Sequence, residues 1–428
     1  MSWIAIVPFA VLALAFVLRI PVAYGMMGGG VVYLLIKGMS LTNVASQILG
    51  SLFNSYTVIA VPLFIFSAQI MNSSTVTDRV FGFANAIVGK RRGGLGHVNC
   101  LASLVFSGMT GSAVADASGL GMMEIEAMRR EGYDDGFSCA ITAASATMGP
   151  IFPPSIPMIM YSLLSGASVG ALFLGGMVPA IMLCLALMVY VAIVAKKRNY
   201  PVSRPLARGE FWRTTLKSIP ALLTPVILLG GIYTGICTPT EAGAVAAFYT
   251  IVIALFVYRT LNWSSMKTVL KETVKSTGSI GIMIGASACL SYCVTLEHIP
   301  DAVAAFVLSI TTNRYLLLLI INVVFLILGM FIDTQTMLVV FIPIVIPVVK
   351  LLGIDLVHFG VMIVLNTMIG LSTTPFGMLL FVTHGVSGTP LKDIIREICP
   401  MILVMIAILL LITFIPPLVT FLPGVLSL

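Results

Sequence analysis

The chain has 428 residues, 59% of them hydrophobic and 9% charged, with a mean hydropathy of +1.10. That composition excludes a soluble globular domain and describes an all-α polytopic membrane protein, because lipid demands that backbone polar groups be satisfied within each helix. The formal net charge of +7 reads as the excess of Lys and Arg in cytoplasmic loops rather than as a nucleic-acid surface.

In chain order, apolar segments at residues 4–18, 22–36 and 56–71 are expected to be the first spans. The first has no basic n-region and no small-residue cleavage site, so it is expected to remain in the protein. Residues 41–52 repeat apolar side chains at helical spacing (Leu41, Val44, Ala45, Ile48, Leu49, Leu52) but are too short to span. They are expected to lie in the interface. Residues 95–128 are apolar with a polar, glycine-bearing middle, FSGMTGSAVAD. Lys90, Arg91 and Arg92 precede them and Arg129 and Arg130 follow. Basic residues on both flanks place both ends on one side and predict a re-entrant helical hairpin. Residues 137–164 then form a span interrupted by GPIFPPSIPM (149–158), where four prolines fall in eight positions. Each removes a backbone donor and clashes with the preceding turn.

Spans follow at 168–195, 218–235, 240–258 and 278–296, with a second amphipathic piece at 265–276. In TPTE (238–241), Thr238 as N-cap, Pro239 at N1 and Glu241 at N3 spell a capping box. Residues 314–350 are a second candidate hairpin around LGMFIDTQT, 357–384 a second broken span around GLSTTPFGM, and 399–425 a last span. The total is about ten spans plus two hairpins. Threaded this way, all basic residues except Lys37, Arg314 and Lys350 fall inside, and both termini lie outside.

The chain also repeats at an offset of 221: Gly108 with Gly329, Gly132 with Gly353, Asp134 with Asp355, Gly149 with Gly370, Pro154 with Pro375. Five crossings per half make the two copies inverted, an arrangement of secondary transporters. The expected units are 1–195, a cytoplasmic linker at 196–217, and 218–428.

Non-helical backbone at membrane depth survives only where it is buried in protein or lines a cavity. Each break therefore offers free carbonyls to a cation and free N–H groups to an anion. Sodium takes about five or six oxygens, so a hairpin tip and a facing break are needed together. The expected sodium sites are Ser103, Ser107, Gly108, Thr147, Gly149 and Pro150 in the first half, and Gly329, Ile332, Gly370, Thr373 and Phe376 in the second. A substrate would sit between them, near Thr110, Ser112, Asp116, Ser155, Asp333 and Thr374. Asp116 is equally readable as a hairpin staple bonded to Ser112 or Ser118, since a buried acid in a membrane segment is costly. Uniformly apolar helices such as 181–195 and 402–415 are expected to form a scaffold, braced by 41–52 and 265–276, for a moving body of hairpins and broken spans.

The seven cysteines form no CxxC pair, the four histidines are scattered, and there is no HExxH, Walker A or GxSxG sequence. That leaves an intramembrane lipid enzyme without a metal cluster or nucleophile–base pair, and it leaves no organic cofactor to expect.

SGMTGSAVADASGLG (107–121), GPIFPPSIPM (149–158), TPTEAGAVAA (238–247), IPIVIPVVKLLGID (342–355) and GLSTTPFG (370–377) together resemble the large membrane subunit of tripartite ATP-independent periplasmic (TRAP) transporters, over nearly the whole chain. The resemblance implies an elevator-type secondary transporter of the ion transporter superfamily, with Na⁺ as coupling ion. It implies a small four-helix membrane subunit and a periplasmic substrate-binding protein as partners. It also implies an organic-acid substrate, with sialic acid expected and a C4-dicarboxylate or a stand-alone carboxylate transporter as alternatives. LNTMIGLSTTPFG (365–377) departs from the family in lacking an acid before the break and in having Thr374-Pro375 where relatives often have two prolines.

Overall fold

A computed structural model describes residues 3–72, 76–202, 208–311 and 313–426. Among them regular structure is helical, with one isolated antiparallel bridge between Arg92 and Val202. Six helices are long and apolar enough to cross a membrane: Val169–Lys197, Phe211–Tyr233, Pro239–Val257, Trp263–Leu296, Thr334–Leu351 and Leu391–Phe414. Thr42–Phe53 and Thr57–Asn72, bent by 61° at their junction, make a seventh if they are one span. Shorter apolar helices, among them Val22–Ile36, Arg314–Gly329 and Leu356–Leu371, account for other expected spans. They are short because glycine, proline and capping residues interrupt them.

Those interruptions fall where the sequence places them. The first helix pair is Gly94–Thr110 and Leu120–Arg130, packed together and joined through the six-residue helix Ala113–Ser118. Gly111 stops the first of these with φ +61, and its N–H reaches the Ser107 carbonyl at 3.1 Å. A left-handed residue there favours glycine, which has no Cβ to clash. The first broken helix is Asp135–Ala146 and Ile156–Ser165. The second pair is Arg314–Gly329 and Thr334–Leu351, and the second broken helix Leu356–Leu371 and Met378–Ser387. Both breaks hold a cis proline peptide, Pro153-Pro154 and Thr374-Pro375. Thr238 accepts from the Glu241 N–H and the Glu241 side chain returns to the Thr238 N–H, completing the expected capping box.

Two expectations need correction. Residues 265–276 are not a separate interfacial helix. They are the first turns of the continuous 34-residue helix Trp263–Leu296, entered through an Asn262/Ser265 capping box. Residues 41–52, by contrast, do form a helix of their own, Thr42–Phe53. Ser276, Thr277 and Gly278 stay within the helix with no proline to break it, whereas Asn54 and Ser55 interrupt the first-half counterpart. Second, Val169–Lys197 and Leu391–Phe414, expected to stand apart from the hairpins and broken spans, pack directly on them. Val169–Lys197 packs on Gly94–Thr110 and Leu356–Leu371, and Leu391–Phe414 packs on Asp135–Ala146. A helix apolar all round carries no stripe to say which neighbour it meets.

Polar contacts lock Val169–Lys197 into that group. Arg198 pairs with Glu397 at 2.8 Å and Asp134 at 2.9 Å, and the Tyr200 hydroxyl donates to Asp134 at 2.6 Å. Tyr200 and Arg198 together hold the Asp134 carboxyl below the usual carboxylate range. Gly93 N–H bonds the Pro201 carbonyl at 3.2 Å. Of the linker expected at 196–217, residues 203–207 lie outside the described residues.

The molecule thus divides into two groups of helices. One, the core group, holds the helix pairs, the broken helices, Val169–Lys197 and Leu391–Phe414. The other, the flanking group, holds the helices up to residue 72 together with Phe211–Tyr233, Pro239–Val257 and Trp263–Leu296, which pack on one another. Thr57–Asn72 and Trp263–Leu296 form the flanking face toward the core group, against Gly94–Thr110 and Thr334–Leu351.

Candidate functional site

The two tips and the two breaks meet around one cavity of about 280 Å³. It is lined by Gly111, Ser112, Ala113 and Val114 from the first tip, Pro150, Ile156 and Pro157 from the first break, Asp333, Thr334 and Gln335 from the second pair, and Met368, Leu371 and Met378 around the second break. No lysine or arginine lines it.

In the first half, backbone meets backbone closely. A Cβ on Gly111 would lie 2.5 Å from the Pro154 carbonyl oxygen, and one on Gly149 would lie 3.3 Å from the Ala113 nitrogen. Gly108 faces Phe152 of the break and Pro225 of the flanking group. Ser103, Ser107 and Thr147 are buried beside this junction. Ser107 donates to the Ser103 carbonyl at 2.5 Å, Thr147 to Ala144 at 2.6 Å, and Ser103 to the Ser145 hydroxyl at 3.0 Å. Each hydroxyl spends its proton on a neighbour and keeps a lone pair, so the donor set suits a hard cation.

The second half is built differently. Gly329 and Gly370 stand back to back: a Cβ on Gly370 would lie 2.7 Å from the Gly329 Cα, and one on Gly329 3.1 Å from the Gly370 Cα. Thr373 donates to the Ile369 carbonyl at 2.6 Å. Phe376 is 59% exposed and stacks on Phe331 at 5.6 Å, so its backbone rather than its ring is what it offers the site. Ile332 and Thr374 are half-buried, and neither lines the cavity.

Of the expected substrate contacts, Ser112 and Asp333 line the cavity, and Thr110 lines an adjoining one of about 140 Å³ with Ser112, Gln69, Asn72 and Ser276. Asp333 also caps Thr334–Leu351, accepting from the Thr336 N–H at 3.0 Å and from its hydroxyl at 2.5 Å. Ser155 is fully buried and used within the break: it accepts from Met158 N–H at 3.2 Å and donates to the Pro150 carbonyl. Asp116 is buried away from the cavity; its N–H donates to the Ser112 carbonyl at 3.1 Å, but neither Ser112 nor Ser118 bonds its carboxyl. Ser112 caps Ala115 and Ser118 turns to the Val114 carbonyl. Among the described residues neither Asp116 carboxyl oxygen meets a donor in hydrogen-bond geometry, and Ser103 is the hydroxyl that acts on it.

Three features escape sequence reasoning. Thr334 faces the cavity with a buried hydroxyl that has no partner among the described residues. Asn99 bonds Glu124 and Thr142, both at 2.7 Å, and accepts from Ser145 at 2.7 Å. Asn366 donates to the Asn322 carbonyl and side chain at 2.8 Å, and Asn322 donates to Thr413 at 2.9 Å. Each asparagine network ties the first helix of a pair to the first helix of the following broken span. The available signal was a lone amide in an apolar run, which names no partner.

A family model for the DctM component of the tripartite ATP-independent periplasmic transporters matches residues 9–418. The chain is 40% identical over 403 residues to the sialic acid TRAP transporter large permease protein SiaM of Vibrio cholerae, covering 94% of each. It is 38% identical to the sialic acid TRAP transporter permease protein SiaT of Haemophilus influenzae, over 95% of this chain and 66% of that one. It is also 38% identical to the C4-dicarboxylate TRAP transporter large permease protein DctM of Pseudomonas aeruginosa, over 86% of each. Among solved structures, the YdaH transporter of Alcanivorax borkumensis shares the fold, with a TM-score of 0.66 at 12% identity over 87% of this chain and 88% of that one. A polytopic helical chain that matches this model almost throughout, with its two breaks and tips gathered on one cavity, belongs to the DctM family of TRAP transporters as a large permease subunit, and is a transporter component rather than an enzyme.

Proposed function

We propose that this chain carries an organic acid across the bacterial inner membrane, driven by sodium, working with a small membrane subunit and a periplasmic binding protein. The observation that carries the reading is the shared cavity: both tips and both breaks contribute to it, and no basic side chain does. An anionic substrate there meets backbone N–H groups, Ser112 and Thr334 hydroxyls, and co-bound cations in place of a lysine or arginine. Sodium would be held by Ser103, Ser107, Thr147 and the carbonyls at 108, 149 and 150 on one side, and by the carbonyls around 329, 332, 370, 373 and 376 on the other. Ion binding would order the tips before the substrate docks. Both termini would be periplasmic, and the two halves, 1–195 and 218–428, would be inverted copies. The core group would move past the flanking group as an elevator, since Arg198, Glu397 and Asp134 make Val169–Lys197 part of the moving piece.

Sialic acid is the favoured substrate because of the match to SiaM over 94% of both chains. A C4-dicarboxylate is the second reading, favoured by the similar identity to DctM. Vesicles holding the complex with its membrane partner and binding protein decide between them. Labelled N-acetylneuraminate should accumulate only with outside sodium, and excess succinate should not compete. Uptake that ignores sodium and follows a proton gradient overturns the ion assignment. Uptake without any binding protein overturns the tripartite one.

A further inference from the structure

The face of the flanking group that meets the core group carries two polar bands. On Trp263–Leu296 the inner band is Ser276 and Ser279, and the outer band is Ser287 and Ser291. Residues 280–286 between them hold no polar side chain. Thr57–Asn72 repeats the pattern: Thr57 at one end, Gln69 at the other, and no polar side chain from 58 to 66. At about 1.5 Å of rise per residue, Ser276 to Ser287 spans roughly 17 Å and Thr57 to Gln69 roughly 18 Å. Two separate helices therefore give one spacing.

The core-group helix packed on Trp263–Leu296 is Thr334–Leu351, and it has a single band. Its polar side chains are Thr334, Gln335 and Thr336, and none follows from 337 to 349. That band now sits at the inner level, where Gln335 shares a cavity with Ser276 and Gln69. At the outer level, Ser287 and Ser291 border a cavity of about 340 Å³ whose core-group wall is Met160, Leu163, Leu164 and Pro343, all apolar. The side chains of that wall offer these hydroxyls no partner; Ser287 instead donates to the backbone carbonyl of Val339 at 3.3 Å.

We infer that Ser287 and Ser291, with Asn54 and Ser55 across the same cavity, are a second substrate station: the neutral, hydroxyl-lined threshold that the loaded cavity meets when the core group stands about 17 Å further out. One band sliding between two matches the count, and the belt at 280–286 and 58–66 seals the path between them. Uncharged donors suit a polar organic anion in transit, because a fixed cation would trap it. The inference rests on the elevator reading and adds the travel and the residues at its far end.

Two cysteine pairs test it in vesicles holding the whole complex, with mass-spectrometric mapping of cross-links and uptake of N-acetylneuraminate or succinate, whichever the unmodified complex takes up. Ala115→Cys with Ser276→Cys, which line one cavity, should cross-link at rest. Ala115→Cys with Ser287→Cys should cross-link only during turnover. Each bridge should stop uptake, and reduction should restore it. If the 115–276 bridge leaves uptake intact, the elevator reading fails. If that bridge blocks uptake but 115–287 never forms, and Ser287→Leu and Ser291→Leu transport at the unmodified rate, the second station fails while the elevator stands.

Discussion

The two junctions that line the cavity are built from different materials. In the first half, close backbone approach at Gly111 and Gly149 is reinforced by side chains: Asn99, Ser103, Ser145 and Thr142 link the helix pair to the broken helix, and the carboxyl of Glu124 is enclosed with them. In the second half, backbones touch directly at Gly329 and Gly370, and a neutral set, Asn322, Asn366 and Thr413, holds the helices behind them. Among the described residues the first junction also encloses two acids, Asp116 and Glu124. The second encloses none, since Asp333 is half-buried and occupied as a cap. The two junctions therefore tolerate change differently: the first is constrained by its enclosed acids as well as by close backbone, the second by volume.

That contrast is open to direct attack. The largest effect is expected where a buried carboxyl loses its donor. Asn99→Leu should lower stability by about 3 kcal/mol, against about 1–2 kcal/mol for Asn322→Leu, whose orphaned partners are neutral. Thermal unfolding of the purified proteins measures both. Asn99→Leu combined with Glu124→Leu should recover part of the loss, and equal costs for the two asparagines would erase the chemical half of the contrast.

Next come the glycines. Gly370→Val puts side-chain atoms where the Gly329 backbone lies, an overpacking of about 1–3 kcal/mol. Sodium-dependent uptake should be abolished while the protein still folds, whereas Ser103→Ala, which removes one bond at about 1 kcal/mol, should weaken sodium dependence by degrees. Uptake by Gly370→Val at the unmodified rate would show that close backbone approach is not what the second junction needs.

The smallest effect on stability sharpens the contrast. Thr334 is the second half's one buried cavity hydroxyl without a partner among the described residues. Thr334→Val should leave the free energy of unfolding within about 0.5 kcal/mol of the original, since no bond is broken, and should raise the substrate concentration needed for half-maximal uptake. Thr336→Val, which removes a donor to Asp333, should do the reverse, with a stability loss of about 1 kcal/mol. A Thr334→Val protein with unchanged substrate dependence would remove that hydroxyl from the site.

The sequence by itself determined what local chemistry dictates. Prolines 150, 153, 154 and 157, glycines 329 and 370, and the Thr238 cap act on their own turn of backbone, so the breaks and that helix start were legible before any partner was known, whereas Asp333 was legible as an acid at the tip but not as a cap. The offset of 221 showed that two such sets exist. Only the tertiary structure decided which surfaces meet. Asn99 finds Ser145 across 46 positions, and Asn322 finds Asn366 across 44. Val169–Lys197 joins the core group through Arg198, and residues 265–276 continue into a spanning helix. The physical reason is common to all of these. In a chain this apolar, nearly every helix face is compatible with lipid and with protein alike, so periodicity names no partner. Packing and a few buried amides choose it.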